Sequence, residues 1–382
     1  MMDEFPEIYR GVAGEYADLY SKYLEPPKEF FFMSFLTCLG SIVSARIKVN
    51  SELKSQPRFY TLLLGESADD RKSTAMNKTL ELFDNANIEF NYCGGVGSAE
   101  GLHDEFIKIT KNQGLVLVYD EFSSFVSKCK IRSSVLLPCV NSLFDNNFYE
   151  NKTKTSKFRS NDIYLSLLGA TTIETYNQIW DSRFTRIGFN NRLFLVPATS
   201  KKRIAFPDKI PAKLKHALIM NIVEILDFIE KENTIHIEPD AKLEFEIWYN
   251  NKIKSVHTKR LDEYIRRLMV ILAVNEKKNS IDINIAKDAI ELGKWQLGVR
   301  QLHDPIDADN TIAKLEESIR RCLKNKRLKD YELKQKVNYS RYGTWMYEIA
   351  TKNLERANEI KFNAKQKVWE IGREFFSQNC SQ

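Results

Sequence analysis

Lys72, Ser73 and Thr74 stand in a row where a helical pattern begins, just after the apolar run LLLG (62–65). A glycine lets the chain turn tightly, and backbone N–H groups at the start of the following helix can surround an anion. A lysine placed there can reach a terminal phosphate, and the next hydroxyl can hold a magnesium ion. Gly65 is then the turn, Lys72 the phosphate clamp, and Ser73 or Thr74 the metal ligand. The standard pattern is not met, because five residues separate Gly65 from Arg71 and Arg71 stands where a second glycine belongs. Two readings stay open on these residues alone: a nucleotide site of variant form, or a strand–turn–helix that contains Lys-Ser-Thr.

A second set of side chains bears on that choice. The apolar run in GLVLVYDEF (114–122) ends in Asp120 and Glu121, about fifty residues after the loop. At such a strand end an aspartate can hold magnesium's water shell and a glutamate can polarise an attacking water; the plainer reading is a strand capped by two solvated acids. SLLGATTIETY (166–176) puts Thr171 and Thr172 at another strand tip, where a hydroxyl can sense a terminal phosphate or cap a helix. Arg183, Arg186 and Arg192 precede the last apolar run, and Arg186 or Arg192 would suit the arginine that a ring-forming ATPase takes from a neighbouring subunit. Lys152, Lys154, Lys157 and Arg159 recur at short spacing between these elements, as an inserted hairpin or loop. Such a strip could meet a nucleic-acid backbone or simply be solvated.

The elements that must position these groups follow from periodicity. Residues 1–50 read as helical, with PPKEFFFMSFLTCLGSIVSARI starting after two prolines. Across 51–205, short near-continuous apolar runs alternate with helical stretches, which predicts a mostly parallel sheet of about five strands covered on both faces. A single helix, SSVLLPCVNSLF, is expected after the acidic strand. Residues 206–305 read as helices with i, i+3, i+4 apolar spacing. Over 310–380 the pattern is three helices and then two strands around a polar turn, the composition of a winged helix-turn-helix. Its reading helix would run from about Thr344 to Asn358, with Lys352 and Arg356 on one face and Lys361, Lys365 and Lys367 on the wing.

Composition narrows the class. The chain has 382 residues, 43% hydrophobic and 28% charged, with a net charge of +6. Residues 311–376 hold 16 Lys and Arg against 9 Asp and Glu, so all the net positive charge sits there and the rest of the chain is near neutral, as on a nucleic-acid-binding segment. The six cysteines show no Cys-x-x-Cys spacing and no neighbouring histidine, which argues against a zinc site or a disulfide scaffold and for a cytoplasmic setting. The longest apolar run, 30–43, is too short to span a membrane, and the acidic start is unlike a signal peptide.

In order, GESADDRKST, GSAEGLHDEF, LVLVYDEF, LLGATTIETY and GFNNRLFLV resemble the motifs of a family of P-loop ATPases of phages, plasmids and integrated elements, divergent helicases of the RecA/AAA+ type that often lie behind a primase domain. The resemblance covers about residues 30–300. It implies an α/β, RecA/AAA+-like P-loop NTPase core with a helical N-terminal segment, a helical lid and a C-terminal winged helix. It implies that the Arg-Lys loop is a known variant, which adds Ser67 and Arg71 to Gly65, Lys72, Ser73 and Thr74 as nucleotide-binding residues. It further implies ATP and Mg2+ as cofactors, Asp120 and Ser73 at the metal, Glu121, Thr171, Arg186 and Arg192 in catalysis, and Arg267 (or Arg266) facing the nucleotide from the lid. The expected protein is an ATP-dependent DNA motor, helicase-like, forming a homo-oligomeric ring on single- or double-stranded DNA, with a primase or replication initiator as a possible partner and no membrane. The alternatives are an ATP-switched, origin-binding initiator or helicase loader, and an interaction protein with a degenerate nucleotide site.

Overall fold

The structure, a computed structural model, describes residues 4–53, 55–66, 69–109, 113–152, 157–160, 162–305, 311–324 and 326–372. Two helices come first, α1 (Gly11–Tyr23) and α2 (Lys28–Val43). Pro27 sits at the cap of α2, where its fixed φ suits a helix start and its missing N–H costs nothing. From Phe30 to Val43 every residue of α2 is buried, so this helix is apolar all round and lies inside the molecule.

Five strands then form one sheet: β1 (Tyr60–Gly65), β2 (Asn91–Gly94), β3 (Gly114–Tyr119), β4 (Tyr164–Thr172) and β5 (Phe194–Pro197). Their order is β2-β3-β4-β1-β5 and every pairing is parallel. Parallel strands need long crossovers, supplied here by α3 (Lys72–Asn85), α4 (Ala99–Lys108), α5 (Phe122–Lys130), α6 (Leu136–Asp145) and α7 (Ile173–Ile179). The sequence led us to expect one helix after β3; there are two. Phe122, Phe125, Val126 and Cys129 make the buried stripe of α5, hidden from a periodicity reading because Phe122 looks like the end of the strand. Helix α2 packs on β3 and β4. A Cβ on Gly114 would stand 2.0 Å from the Ser41 carbonyl oxygen, so only glycine lets β3 begin this close to the helix. An antiparallel hairpin, Tyr149–Lys152 with Lys157–Ser160, is inserted between α6 and β4.

Four helices follow, α8 (Ala212–Lys231), α9 (Pro239–Asn251), α10 (Leu261–Asn275) and α11 (Ile283–His303). They join α1, α2 and the sheet in one compact unit, Glu4–His303. One tie spans most of that unit. Buried Asn275 accepts from the Ala13 N–H at 2.7 Å, a group with no partner within its helix, and donates to the Arg10 carbonyl at 2.8 Å.

Residues from Asp304 onward form a second compact unit. It contains α12 (Thr311–Leu323), a strand β6 (Leu328–Lys329), α13 (Asp330–Lys336), a single turn Tyr339–Tyr342, α14 (Thr344–Arg356), β7 (Ile360–Asn363) and β8 (Val368–Ile371). The strands make an antiparallel sheet in the order β6-β8-β7, one strand more than the sequence suggested. Its core is Leu315, Ile319, Leu333, Tyr347, Leu354 and their neighbours. Asp330 pins helix to sheet, accepting from the Tyr347 hydroxyl at 3.0 Å and the Trp369 indole at 2.9 Å.

Candidate functional site

The strand order decides which side chains meet. Because β4 lies between β1 and β3, the carboxyl ends of all three open at one edge, the usual place for a ligand in an open parallel sheet. The loop after β1 delivers Lys72 and Ser73 to the first turn of α3, and β3 delivers Asp120 and Glu121. The Ser73 hydroxyl donates directly to Asp120 Oδ1, so the two groups expected to share a metal are in contact across the sheet edge. Thr74 is the next residue and half-buried; Ser73 is the hydroxyl that reaches Asp120. The Lys72 ammonium donates to the Glu66 carbonyl at 2.7 Å, lying back across its own loop. Burial pushes its pKa below the ordinary lysine value, while the charges of Asp70, Glu121 and Asp120 oppose that shift. Glu121 precedes α5 and accepts from the Ser123 hydroxyl at 3.0 Å, which leaves its other carboxylate oxygen open.

Arg71 shows how the loop manages without a second glycine. It adopts the left-handed conformation, φ 49° and ψ 37°, the region glycine would take without strain. Its side chain turns away from the loop and pairs with Glu25 at 2.7 Å. Asp70, fully buried, accepts from the Glu66 N–H and, at 2.7 Å, from the Ser200 N–H. Gly65 matters for space: a Cβ there would stand 2.6 Å from the Asp70 carboxylate. Asp70, Glu25 and Ser200 were missed in the sequence, since nothing local to 65–74 points to partners so far along the chain. Ser67 lies outside the described residues.

Thr171 occupies the tip of β4 beside the end of β1, is 3% exposed, and its hydroxyl has no hydrogen-bond partner among the described residues. An unpartnered buried hydroxyl at this edge is costly unless something else satisfies it. Thr172 caps α7, accepting from the Thr175 N–H at 3.0 Å.

The arginines divide differently from expectation. Arg267 is 2% exposed and donates to the Arg58 carbonyl at 2.8 Å, the Phe144 carbonyl at 2.7 Å and Glu263 at 2.8 Å, with its guanidinium 4.0 Å from the Phe144 ring centre. Arg58 precedes β1, so this contact lies at the amino edge of the sheet. One strand length, roughly 20 Å at about 3.3 Å per residue, separates it from Gly65. The expectation that Arg267 faces the nucleotide is therefore corrected: its fork is committed to main-chain carbonyls at the opposite end. Arg266 is paired with Asp262 and Glu263. Arg192 is also at the amino edge, just before β5; it is 7% exposed and bound to Asp145 at 2.8 Å and to the Gly188 carbonyl at 2.9 Å. This corrects its assignment as an arginine offered to a neighbouring subunit, because the guanidinium is consumed within its own chain. Arg183 is held by Asp181 and the Lys130 carbonyl. Arg186 is exposed, on a short helix before β5.

The basic strip falls on the inserted hairpin, where Lys152 opposes Lys157 in register. Lys154 lies outside the described residues, and Arg159 is exposed with its guanidinium 5.2 Å from the Phe148 ring centre. In the second unit Lys352 and Arg356 are exposed along α14, and Lys365 and Lys367 are exposed in the turn between β7 and β8. Lys361 pairs with Glu370 at 3.1 Å, a carboxylate it shares with Arg327.

Among the described residues no group of three or more His, Cys, Asp or Glu could hold a metal ion. The oxygen pair Ser73–Asp120 fits an ion such as magnesium, which takes one or two protein oxygens and completes its shell with waters and phosphates. Among the described residues no helix is long and apolar enough to cross a membrane. In comparisons with known proteins, no family model matches the chain and no curated protein matches it.

Proposed function

We propose that the chain is a RecA/AAA+-like P-loop ATPase that acts on DNA. The observation that carries this reading is the direct contact between Ser73 of the loop and Asp120 of β3, made possible by β4 lying between β1 and β3. In this reading Lys72 leaves the Glu66 carbonyl and clamps the terminal phosphates. Ser73 and Asp120 would hold Mg2+, which when bound offsets phosphate charge. Glu121 accepts a proton from the attacking water as the bond to the leaving diphosphate breaks, giving ADP and phosphate. Thr171 supplies its free hydroxyl to the terminal phosphate. Arg186, the exposed arginine near β5, is the one available to a neighbouring subunit in a ring.

The second unit supports a nucleic-acid partner. In this reading its order, helix–strand–helix–turn–helix–strand–strand, serves as a winged helix, with α14 as the reader and Lys365 and Lys367 at the wing tip. DNA would also meet the inserted hairpin if subunits form a ring around it. The runner-up role is an ATP-switched initiator or loader, which the same exposed α14 face would serve.

The test is ATP turnover with and without single-stranded DNA. Wild type is expected to hydrolyse ATP faster with DNA. Lys72→Ala should lose nucleotide binding, and Glu121→Gln should bind but lose turnover by about 10²- to 10⁴-fold. An absence of ATP binding by the magnesium-loaded wild type would overturn the proposal. Tight, sequence-specific duplex binding without strand separation would move it to the initiator role.

A further inference from the structure

Three consecutive loop residues, none of them glycine, are each tied to sequence-distant chain. Asp69 pairs with Arg203 at 2.9 Å, Asp70 accepts from the Ser200 N–H at 2.7 Å, and Arg71 pairs with Glu25 at 2.7 Å. The distant partners are themselves joined. Glu25 uses its other carboxylate oxygen to accept from the Ile204 N–H at 2.7 Å, and its carbonyl accepts from the Ser200 hydroxyl at 2.6 Å. Lys202 donates to the Ser21 carbonyl. Residues 200–204, immediately after β5, thus form a strap between the loop and the turn that joins α1 to α2. The Ile204 N–H and the Arg71 guanidinium hold the Glu25 carboxyl below the usual carboxylate range, so it stays an anion and keeps both contacts.

This arrangement has a physical purpose in a loop that lacks its second glycine. Arg71 must occupy a left-handed conformation that costs free energy for a residue with a Cβ. Such a conformation persists only where the surroundings over-determine it. Here the determinants are side-chain locks: Asp70 fills the space that Gly65 leaves open, and Glu25 holds Arg71 from outside. We propose that Glu25 and the 200–204 strap are positioning residues for phosphate binding. They pre-order residues 69–71, so that this part of the ordering is already done when the nucleotide arrives. The proposal rests on the nucleotide reading of the loop given above.

The test compares binding of a non-hydrolysable ATP analogue, with magnesium, across wild type, Glu25→Gln, Arg71→Gln, the double variant and Lys72→Ala. Steady-state turnover and thermal unfolding of the nucleotide-free proteins are measured alongside. Each single variant is expected to weaken analogue binding about tenfold, with the double variant no weaker than the singles, because both remove one shared interaction. The change should appear in KM, with kcat at saturating ATP little altered. If Glu25→Gln does not fold, Arg71→Gln carries the test, since the Arg71 side chain is 49% exposed. Wild-type affinity in both singles, with binding lost in Lys72→Ala, would overturn the positioning role and leave the nucleotide reading standing. Unchanged affinity in Lys72→Ala would sink the nucleotide reading itself. A lowered unfolding temperature with unchanged affinity would assign Glu25 to the fold alone.

Discussion

Replacing Arg267 with alanine separates two roles that a lid arginine could have. The side chain is 2% exposed and makes hydrogen bonds of 2.8, 2.8 and 2.7 Å to the Arg58 carbonyl, Glu263 and the Phe144 carbonyl. A hydrogen bond to a charged group contributes about 1.5–3 kcal/mol, and truncation leaves the two buried carbonyls without that donor. Breaking a buried charged network by removing one member costs about 3–5 kcal/mol. Two effects lower the figure here. Glu263 keeps Arg266 at 3.2 Å, and the neighbouring Arg58, whose pKa burial and the Arg267 charge push down to about 9, is relieved of a like charge. The expected loss is therefore about 3 kcal/mol, a large part of the roughly 5–15 kcal/mol of a typical domain. Urea unfolding followed by tryptophan fluorescence reads it: with an m-value of about 3 kcal/mol per M, the midpoint falls by about 1 M. Analogue binding by the folded variant should stay within about twofold of wild type, well under the tenfold that 1.4 kcal/mol represents. A variant as stable as wild type that has lost nucleotide affinity would refute the amino-edge assignment and restore Arg267 to the nucleotide.

Asn275→Ala should lower stability by about 1–3 kcal/mol, because it strands the Ala13 N–H in a buried place and takes one of two donors from the Arg10 carbonyl; the thermal unfolding midpoint checks it. Burial alone would raise the Asp145 pKa, but its hydrogen bonds to Arg192 and Arg260 outweigh that and hold it below the usual aspartate value. Its contribution is thus fully present above the ordinary value of about 3.9 and is lost as pH falls through the lower folded value. Asp145→Asn should cost stability at neutral pH and flatten the acid limb of a stability–pH curve; an unchanged acid limb would count against this. Lys365→Ala and Lys367→Ala should each reduce the slope of log K for DNA against log salt by about 1, a shift that salt titration of binding would detect.

The layered α/β plan was legible because parallel strands buried on both faces leave continuous apolar runs, as in TLLLG and GLVLV. The loop and Asp120 were legible for the same reason: each stands where such a run stops. The second glycine position could not be read, because a left-handed arginine has no local signature. What allows it is Glu25, 46 residues before it, and the fully buried Asp70. Arg192 and Arg267 were misplaced because a periodicity reading sees only that an arginine lies near a helix or strand end. It does not tell which end of the sheet that side chain reaches.

The two edges of the sheet use charge in opposite ways, and this contrast bears on where chemistry can occur. At the amino edge, Arg58, Arg192, Arg267 and Arg300 give their donors to main-chain carbonyls and have at most 7% exposure. Planar forks committed in this way act as rigid ties, and releasing any one would leave buried carbonyls unpaired. At the carboxyl edge, the Lys72 ammonium is tied to one carbonyl of its own loop, Asp120 to one hydroxyl, and the Thr171 hydroxyl, among the described residues, to nothing. Each of these groups can change partner while the surrounding core stays intact. A ligand bearing several anionic oxygens could accept from Lys72 and Thr171, with a cation between it and the Asp120 carboxylate, whereas the arginines of the amino edge are buried and tied to carbonyls. The physical asymmetry therefore favours the carboxyl edge for the proposed nucleotide chemistry and leaves the arginine-rich edge to hold the sheet.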